Sequence, residues 1–313
     1  MAPRPAVIAR LPLYLTQFLS GVIWLTLGPL LDPIMGDLGI PLAQGGLPAM
    51  TFFFGGILGV LTLNFLMARV PVKRCLVAMA LVEAVGLAGT GLLTRGLWSF
   101  AGAYFFIGFP CVVLAGVPGM WVSVHVREKT AWALNLMVLS SVTAMTLTPL
   151  VLGTLVGASA GWRWIYVGEA VLALVAAAVL AVLPLADIPG RENLRLRQLK
   201  AVISHNPRLL AAIGLAAFMY MGAETTLIVW LPKFETDVFG AGASWASLAV
   251  TFYWVGQISG RLATIPASRR FLASSLLGGS MLVMAIFTGG LAASPSQATR
   301  TLFSPDRRQG AMK

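Results

Sequence analysis

The amino-acid sequence predicts an all-α polytopic membrane protein, on two observations. Hydrophobic residues make up 58% of the 313-residue chain and charged residues only 11%, and the mean hydropathy is +0.85. A soluble fold of this composition would lack the polar surface needed to cover itself. The apolar residues are also grouped into runs of about membrane-spanning length, each closed by Gly, Pro or charged residues. Lipid is therefore the predicted solvent of most side chains.

Nine apolar segments are predicted to span the membrane as helices. Runs such as AVLALVAAAVLAVL are apolar on every face, whereas the strands of a membrane barrel alternate in polarity over about ten residues. The predicted spans cover residues 12–31, 47–67, 75–93, 98–124, 132–155, 164–185, 209–231, 245–263 and 272–292.

One sustained polar interval, DIPGRENLRLRQLKAVISHNPR, divides these spans into six and three. The predicted organisation is a six-helix bundle (1–186), a cytoplasmic linker (187–208), a partial bundle of three helices (209–293) and a polar tail (294–313). The tail contains no run long enough to cross a bilayer.

The basic residues predict the orientation of the chain. With the N-terminus in the cytoplasm, 15 of the 22 Lys and Arg residues fall on the cytoplasmic side, as the positive-inside rule requires. The net charge of +11 is thereby explained by topology, because the basic residues lie in short clusters between spans and form no nucleic-acid-binding face. The short loops favour a multi-pass protein of a bacterial inner membrane.

Motifs for enzymatic or metal chemistry are missing from the sequence. It has no Walker-type loop, no GxSxG elbow and no HExxH motif. Cys75 and Cys111 lie within apolar runs without metal-ligand spacing. We therefore expect neither an enzyme nor a cofactor or metal site.

Six spans, a basic cytoplasmic loop and then further spans resemble the plan of the major facilitator superfamily, over roughly residues 11–292. After the second span, NFLMARVPVKR resembles the family's Gly-x3-Asp-Arg-x-Gly-Arg-Arg loop, in which Arg69 and Lys73 match and Ala68 replaces the acid. The family uses this loop to latch its two halves. The resemblance thus implies a gating loop of Arg69, Lys73 and Arg74, although fixing the topology explains the same residues equally.

Further segments carry the resemblance along the chain. REKTAWALN and GWRWIYVGEA resemble the loop after the fourth span and the turn into the sixth, and TPLVLG partly matches an antiporter pattern. MGAETTLIVWLP followed by FYWVGQISGRL resembles the seventh and eighth helices. The Gly-Ala-Glu and Trp-Leu-Pro order is similar to fucose-permease-type sugar and proton symporters. Symport and antiport both stay open.

Three carboxylates lie inside predicted spans, namely Glu83, Glu169 and Glu224. An ionised acid at mid-bilayer costs about 2.5–3.5 kcal/mol on insertion scales, so each should face a cavity, find a partner or be protonated. Glu224 is the candidate for binding a proton or substrate, because Tyr220 lies one helical turn before it. A structural acid bonded to another helix is the alternative. For Glu83 we expect structural pairing, and for Glu169 a position near water or a contact with Arg163.

Two further sets of polar residues have helical spacing. Tyr14, Gln17, Gly21, Trp24 and Gly28 form one stripe on the first span. The stripe is a candidate lining for a translocation path, with its glycines equally suited to helix packing.

The eighth span adds Tyr253 and Gln257, one turn apart, as candidate lining of the same path.

The family resemblance implies alternating access, in which two helical bundles rock about a site near the midplane. A carboxyl group such as that of Glu224 can then bind a proton on one side and release it where the site is wetter. The expected partners are a small polar solute, either a sugar or an organic anion, a proton and the lipid bilayer. Because the family normally has twelve helices, we also expect a truncated form. The alternative function is a non-transporting scaffold or assembly subunit that binds another protein.

Overall fold

The computed structural model describes residues 11–126, 130–159, 161–188, 204–267, 271 and 273–293. Within these ranges the chain forms nine long α-helices and one 3₁₀ turn, Leu42–Gln44. The helices are α1 (Leu11–Leu38), α2 (Leu47–Arg69), α3 (Val72–Leu93), α4 (Leu97–His125), α5 (Thr130–Gly157), α6 (Trp162–Val182), α7 (Pro207–Phe239), α8 (Ala243–Ala267) and α9 (Ala273–Ala293).

Each helix overlaps one predicted span. In the described part of the chain, the helices that are long and apolar enough to cross a membrane are α1 to α7, so for α8 and α9 the crossing stays a prediction. Helix α7 continues past residue 231, the predicted end of the seventh span, to Phe239 and contains Lys233. Most of the predicted linker (189–203) and the whole predicted tail (294–313) lie outside the described residues.

Helix α1 lies at the centre of the packing. It contacts α4, α5 and α6 from the first six helices, and α7 and α8 beyond the linker. The other main contacts pair α2 with α4, α3 with α4 and α6, α5 with α8, and α7 with α8. The second group of helices is therefore attached to the first through α1 and α5.

Glycines set the close contact between α2 and α4. A Cβ at Gly55 or Gly59 would collide with the carbonyl oxygen of Phe105 or Phe109 on α4, and a Cβ at Gly108 would collide with the carbonyl of Phe52 on α2. Small residues four apart let two helix backbones approach in a membrane, where lipid supplies no hydrophobic drive for association. The glycines of the FGGILG segment therefore pack α2 closely against α4.

Helix α7 has two unlike halves. Residues 204–223 are exposed throughout, whereas Glu224, Ile228, Val229 and Pro232 are buried. The buried half lies against α1, where a Cβ at Gly28 would collide with the Ile228 carbonyl. The two groups of helices therefore meet along the C-terminal half of α7 and diverge along its N-terminal half.

His125 connects the end of α4 with the start of the predicted linker. It is the last residue of α4, and its ring stacks on Trp121 at a centroid distance of 4.2 Å. Its Nε2 lies 3.1 Å from the Asp187 carbonyl oxygen, and Trp121 Nε1 donates to the Ala186 carbonyl at 2.7 Å. These contacts hold the start of the predicted linker against the end of α4.

The α2–α4 contact makes a prediction that one matched pair of variants can test. Gly108→Ala should destabilise the protein by about 1–3 kcal/mol, because the added methyl meets backbone that cannot move aside. Gly102→Ala, on the same helix but with nothing within 4 Å of its added Cβ, should be neutral or stabilising, because alanine is the better helix former. Thermal unfolding of the purified variants in detergent measures both. Equal melting temperatures would contradict the glycine contact.

Candidate functional site

The carboxyl group of Glu224 accepts hydrogen bonds from three neutral side chains. Tyr220 Oη and Gln257 Nε2 each donate to Glu224 Oε1 at 2.9 Å, and Tyr253 Oη donates to the same atom at 3.2 Å. Gln257 Nε2 also lies 3.2 Å from Tyr220 Oη and 3.1 Å from Tyr253 Oη. We call these four residues the Glu224 cluster.

Helical spacing on two neighbouring helices builds the Glu224 cluster. Tyr220 and Glu224 are four residues apart on α7, and Tyr253 and Gln257 are four apart on α8. Side chains at this spacing lie on one face of a helix, and α7 packs against α8. The two polar pairs therefore face each other, and the structure brings together four residues that the sequence proposed separately.

The described side chains that donate hydrogen bonds to the Glu224 carboxyl group are all neutral. Glu224 is 8% exposed, and no Lys or Arg of the described residues forms an ion pair with it. Phenol and amide donors stabilise a carboxylate less than a full positive charge does. Such an arrangement can accept a proton, and it can exchange its internal hydrogen bonds for those of a polar ligand.

A small cavity lies between α7 and the first group of helices, and the four cluster residues are not part of its lining. Thr225, Ile228 and Val229 form one wall, and an aromatic wall faces them, formed by Trp24, Phe52, Phe53 and Tyr104. The Trp24 ring meets Phe52 and Phe53 edge-on at centroid distances of 5.6 and 5.3 Å. The volume of about 20 Å³ is enough for one water molecule. Trp24 is thus placed across the helix junction from Thr225, the residue after Glu224.

The other residues of the α1 stripe face different helices. Gln17 Nε2 donates to the Ala115 carbonyl of α4 at 2.7 Å, and Ser140 of α5 donates to the Tyr14 carbonyl at 3.0 Å. Gly21 lies against the Ser141 carbonyl. The stripe therefore splits among several neighbours, and Tyr14 and Gln17 are not hydrogen-bonded to the Glu224 cluster within the residues described.

The two remaining membrane carboxylates belong to the first group of helices. Glu169 accepts a 2.5 Å hydrogen bond from Thr26, so its expected contact with Arg163 is wrong, and Arg163 instead pairs with Asp37 at 3.0 Å. Glu83 is fully buried beside Cys111. In the described part of the chain its oxygens have no hydrogen-bond partner of normal geometry, so the expected structural pairing is not seen.

The predicted gating loop lies at the turn between α2 and α3. Arg69 and Arg74 are exposed and Lys73 is half-buried. Sequence reasoning missed Asp187, whose Oδ1 accepts the Val72 backbone N–H at 3.0 Å. The carboxylate thus lies at the N-terminus of α3, where the helix dipole favours negative charge. The separation of 115 residues along the chain hides this contact from a local motif search.

Sequence reasoning also missed an ion pair between the two groups of helices. Lys233 Nζ on α7 lies 2.7 Å from Asp32 Oδ1 on α1 and 3.1 Å from Asp237 Oδ2 on its own helix. The Lys233 side chain is only 13% exposed. The predicted seventh span ends at residue 231 and leaves Lys233 outside it, so the prediction does not use the spacing of four that places Lys233 and Asp237 on one helix face.

Two solved transporter structures resemble this chain in fold. A D-xylose-proton symporter structure superposes with a TM-score of 0.66 at 16% identity, covering 86% of this chain and 70% of that one. A partially occluded, inward-open structure of the xylose transporter XylE from E. coli gives a TM-score of 0.62 at 14% identity, covering 86% and 74%. Identities this low establish similarity of fold.

Sequence relatives agree with the structural ones. The Protein TsgA homolog of Yersinia pestis (strain Pestoides F) is 23% identical over 251 residues, which is 79% of this chain and 62% of that protein. The chain thus spans about 62% of the length of this relative. The prediction of an all-α, multi-pass membrane protein is confirmed. The family model matches residues 13–305, and the chain belongs to the Major Facilitator Superfamily.

Proposed function

We propose that this chain is a secondary active transporter that carries a small polar solute together with a proton by alternating access. The observation that carries the proposal is the Glu224 cluster. An uncompensated carboxyl group is costly inside a membrane, and such groups mark ion and substrate pathways. Here it lies between α7 and α8, one turn before the residue of α7 that meets α1, Ile228, and secondary transporters bind their substrates between such groups of helices.

A neutral, hydroxylated solute fits the cluster best. Tyr220, Tyr253 and Gln257 offer donors and acceptors to hydroxyl groups, and the Glu224 carboxylate accepts further hydrogen bonds. An organic anion would be repelled by an ionised Glu224. Of the two expected substrate classes, a sugar is therefore proposed, and the D-xylose symporter among the structural neighbours supports the choice. Trp24 is proposed to offer a flat apolar surface to a sugar ring in a state in which the cavity of about 20 Å³ that it lines has widened.

The two halves of α7 support the alternating-access part of the proposal. Its C-terminal half is closed against α1, and its N-terminal half is exposed. With the proposed cytoplasmic N-terminus, the closed half is the outer one. This arrangement corresponds to a state open toward the cytoplasm, in a bacterial inner membrane. Arg69, Lys73 and Arg74 lie at the cytoplasmic end and are proposed as the gating loop.

Removing the titratable group tests proton coupling. Glu224→Gln preserves the shape and the hydrogen-bonding side chains but cannot exchange a proton, so accumulation of D-xylose driven by a pH gradient should fall to the protein-free level. Exchange of labelled for unlabelled xylose, which needs no net proton movement, should continue at reduced affinity. Proteoliposomes with and without an imposed pH gradient measure the two activities.

Glu235→Gln is the matched control, because Glu235 lies on the same helix and is only partly buried. It should transport like the unmodified chain. Full accumulation by Glu224→Gln would remove Glu224 from the coupling step. Absence of xylose flux in the unmodified chain, across a panel of sugars, would favour the scaffold function.

The ion pair between Lys233 and Asp32 should stabilise the closed outer end. Lys233→Gln or Asp32→Asn should raise the population of outward-open molecules by roughly fivefold, as expected from losing an ion pair of about 1 kcal/mol. A cysteine introduced at Ile228, which is 2% exposed, reports opening through its reaction with an impermeant maleimide. The native cysteines, Cys75 and Cys111, are buried.

Two further variants distinguish the loss of the contact between Lys233 and Asp32 from the loss of any charge at this end of α7. Asp237→Asn removes only the contact within α7 and should leave the Ile228→Cys labelling rate nearly unchanged. The double variant of Lys233 and Asp32 should label no faster than either single variant, because both remove the same interaction. Additive increases would show that the two residues act independently.

A further inference from the structure

Two arginines line a pocket at the end of the bundle opposite the proposed gating loop. The pocket measures about 390 Å³ and is bordered by Arg95 and Arg163, with Leu92, Trp164 and Val167 as its apolar side. Arg95 follows the end of α3, and Arg163 is in the first turn of α6. Helix ends lie at the level of the lipid headgroups when the helices cross a bilayer. The pocket is therefore at headgroup depth.

The two arginines differ in how much of their charge is compensated. The Arg163 guanidinium donates to Asp37 at 3.0 Å and to the Thr94 carbonyl at 2.8 Å, so it is fixed in position and paired with an acid. Arg95 is exposed, and within the described residues its side chain has no acidic partner. Because Asp37 is bound to Arg163, Arg95 contributes the net positive charge of the pocket.

An apolar groove runs from this pocket toward the middle of the membrane. It lies between α3 and α4, measures about 610 Å³, and is lined by uncharged residues, among them Leu81, Val85, Gly89, Leu93 and Phe106. Thr94 borders both the groove and the pocket. From Leu81 to Leu93 the groove extends about 18 Å along the helix axis, slightly more than one leaflet, which is half of a hydrocarbon core of about 30 Å.

We propose that the pocket and the groove together form a binding site for one phospholipid. The phosphate lies between Arg95 and Arg163, and one acyl chain lies in the groove between α3 and α4. The charge of the pocket selects an anionic group, and the uncharged groove selects a hydrocarbon chain. A phospholipid of the surrounding bilayer presents a phosphate and a hydrocarbon chain in one molecule, and the pocket and the groove share Thr94. Basic pockets between membrane helices on the matrix or cytoplasmic side bind lipid headgroups, and the same attraction between unlike charges acts at the opposite surface. Trp98 and Trp164 are highly exposed at this end, as interfacial tryptophans are.

Titration of the purified full chain with phosphatidylglycerol in detergent tests the site, with bound lipid counted by native mass spectrometry. Binding should be saturable with one tight site. Diacylglycerol, which has the chains without the phosphate, and inorganic phosphate, which has the anion without the chains, should each bind at least tenfold more weakly. Equal binding of diacylglycerol would overturn the role of the arginines, and tight binding of inorganic phosphate would replace the lipid site by a free-anion site.

Two variants test the two parts of the site. Arg95→Gln should weaken phosphatidylglycerol binding about tenfold, the loss expected for one charge-assisted hydrogen bond, and Arg95→Lys should recover most of it. Gly89→Leu should also weaken binding, because the space around the added side chain is open and the leucine fills the groove without displacing backbone.

Gly168→Leu is the matched control for the groove. Gly168 is equally open but lines a different groove, between α5 and α6, so this variant should bind phosphatidylglycerol normally. The lipid-free melting temperatures show whether each variant is folded. Wild-type affinity in both Arg95→Gln and Gly89→Leu would overturn the proposal. Weakening by Gly168→Leu alone would overturn the assignment of the groove.

Discussion

The contact between α1 and the C-terminal half of α7 is the constraint on which the rest of the arrangement depends. It is possible because Gly28 presents no side chain to the Ile228 carbonyl, so two helix backbones approach as closely as membrane packing allows. Lys233 closes the same contact through Asp32. With this end fixed, α8 is positioned by α7 on one side and by α5 on the other. The Glu224 cluster forms where these helices meet.

The Glu224 cluster lies close to the contact between α1 and α7, and this position connects helix packing with the proposed transport cycle. Glu224 is the first buried residue of α7 after the exposed stretch 204–223, so it lies where the two groups of helices begin to separate. A proton or solute bound at Glu224 can change how tightly α7 packs against α8 and α1. The ion pair between Lys233 and Asp32 opposes the separation of α7 from α1 near the C-terminal end of α7. Coupling of this kind needs a ligand that binds the two states with different affinity. A carboxyl group whose surroundings differ between the states has that property.

The buried acids of the first six helices behave differently from Glu224. Glu169 is bound by Thr26, and Glu83 is enclosed beside Cys111. Neither faces the junction with α7, although all three acids look alike as single charges in apolar runs. The proposed lipid site also lies away from the junction, on the outer surface of α3 and α4. The proposed roles thus depend on which surface a residue reaches, and of three similar acids only Glu224 is proposed to bind a proton or solute.

The sequence by itself determined where the long helices of the described residues lie, because about twenty consecutive apolar residues have no other stable form in a bilayer. It also selected Tyr220, Glu224, Tyr253 and Gln257, since a spacing of four places each pair on one helix face. Only the tertiary structure decided that the two pairs meet at Glu224 Oε1, and that Asp32, Asp187 and Lys233 make long-range contacts. These depend on the packing of helices that are distant along the chain, and no local pattern records which helix lies next to which.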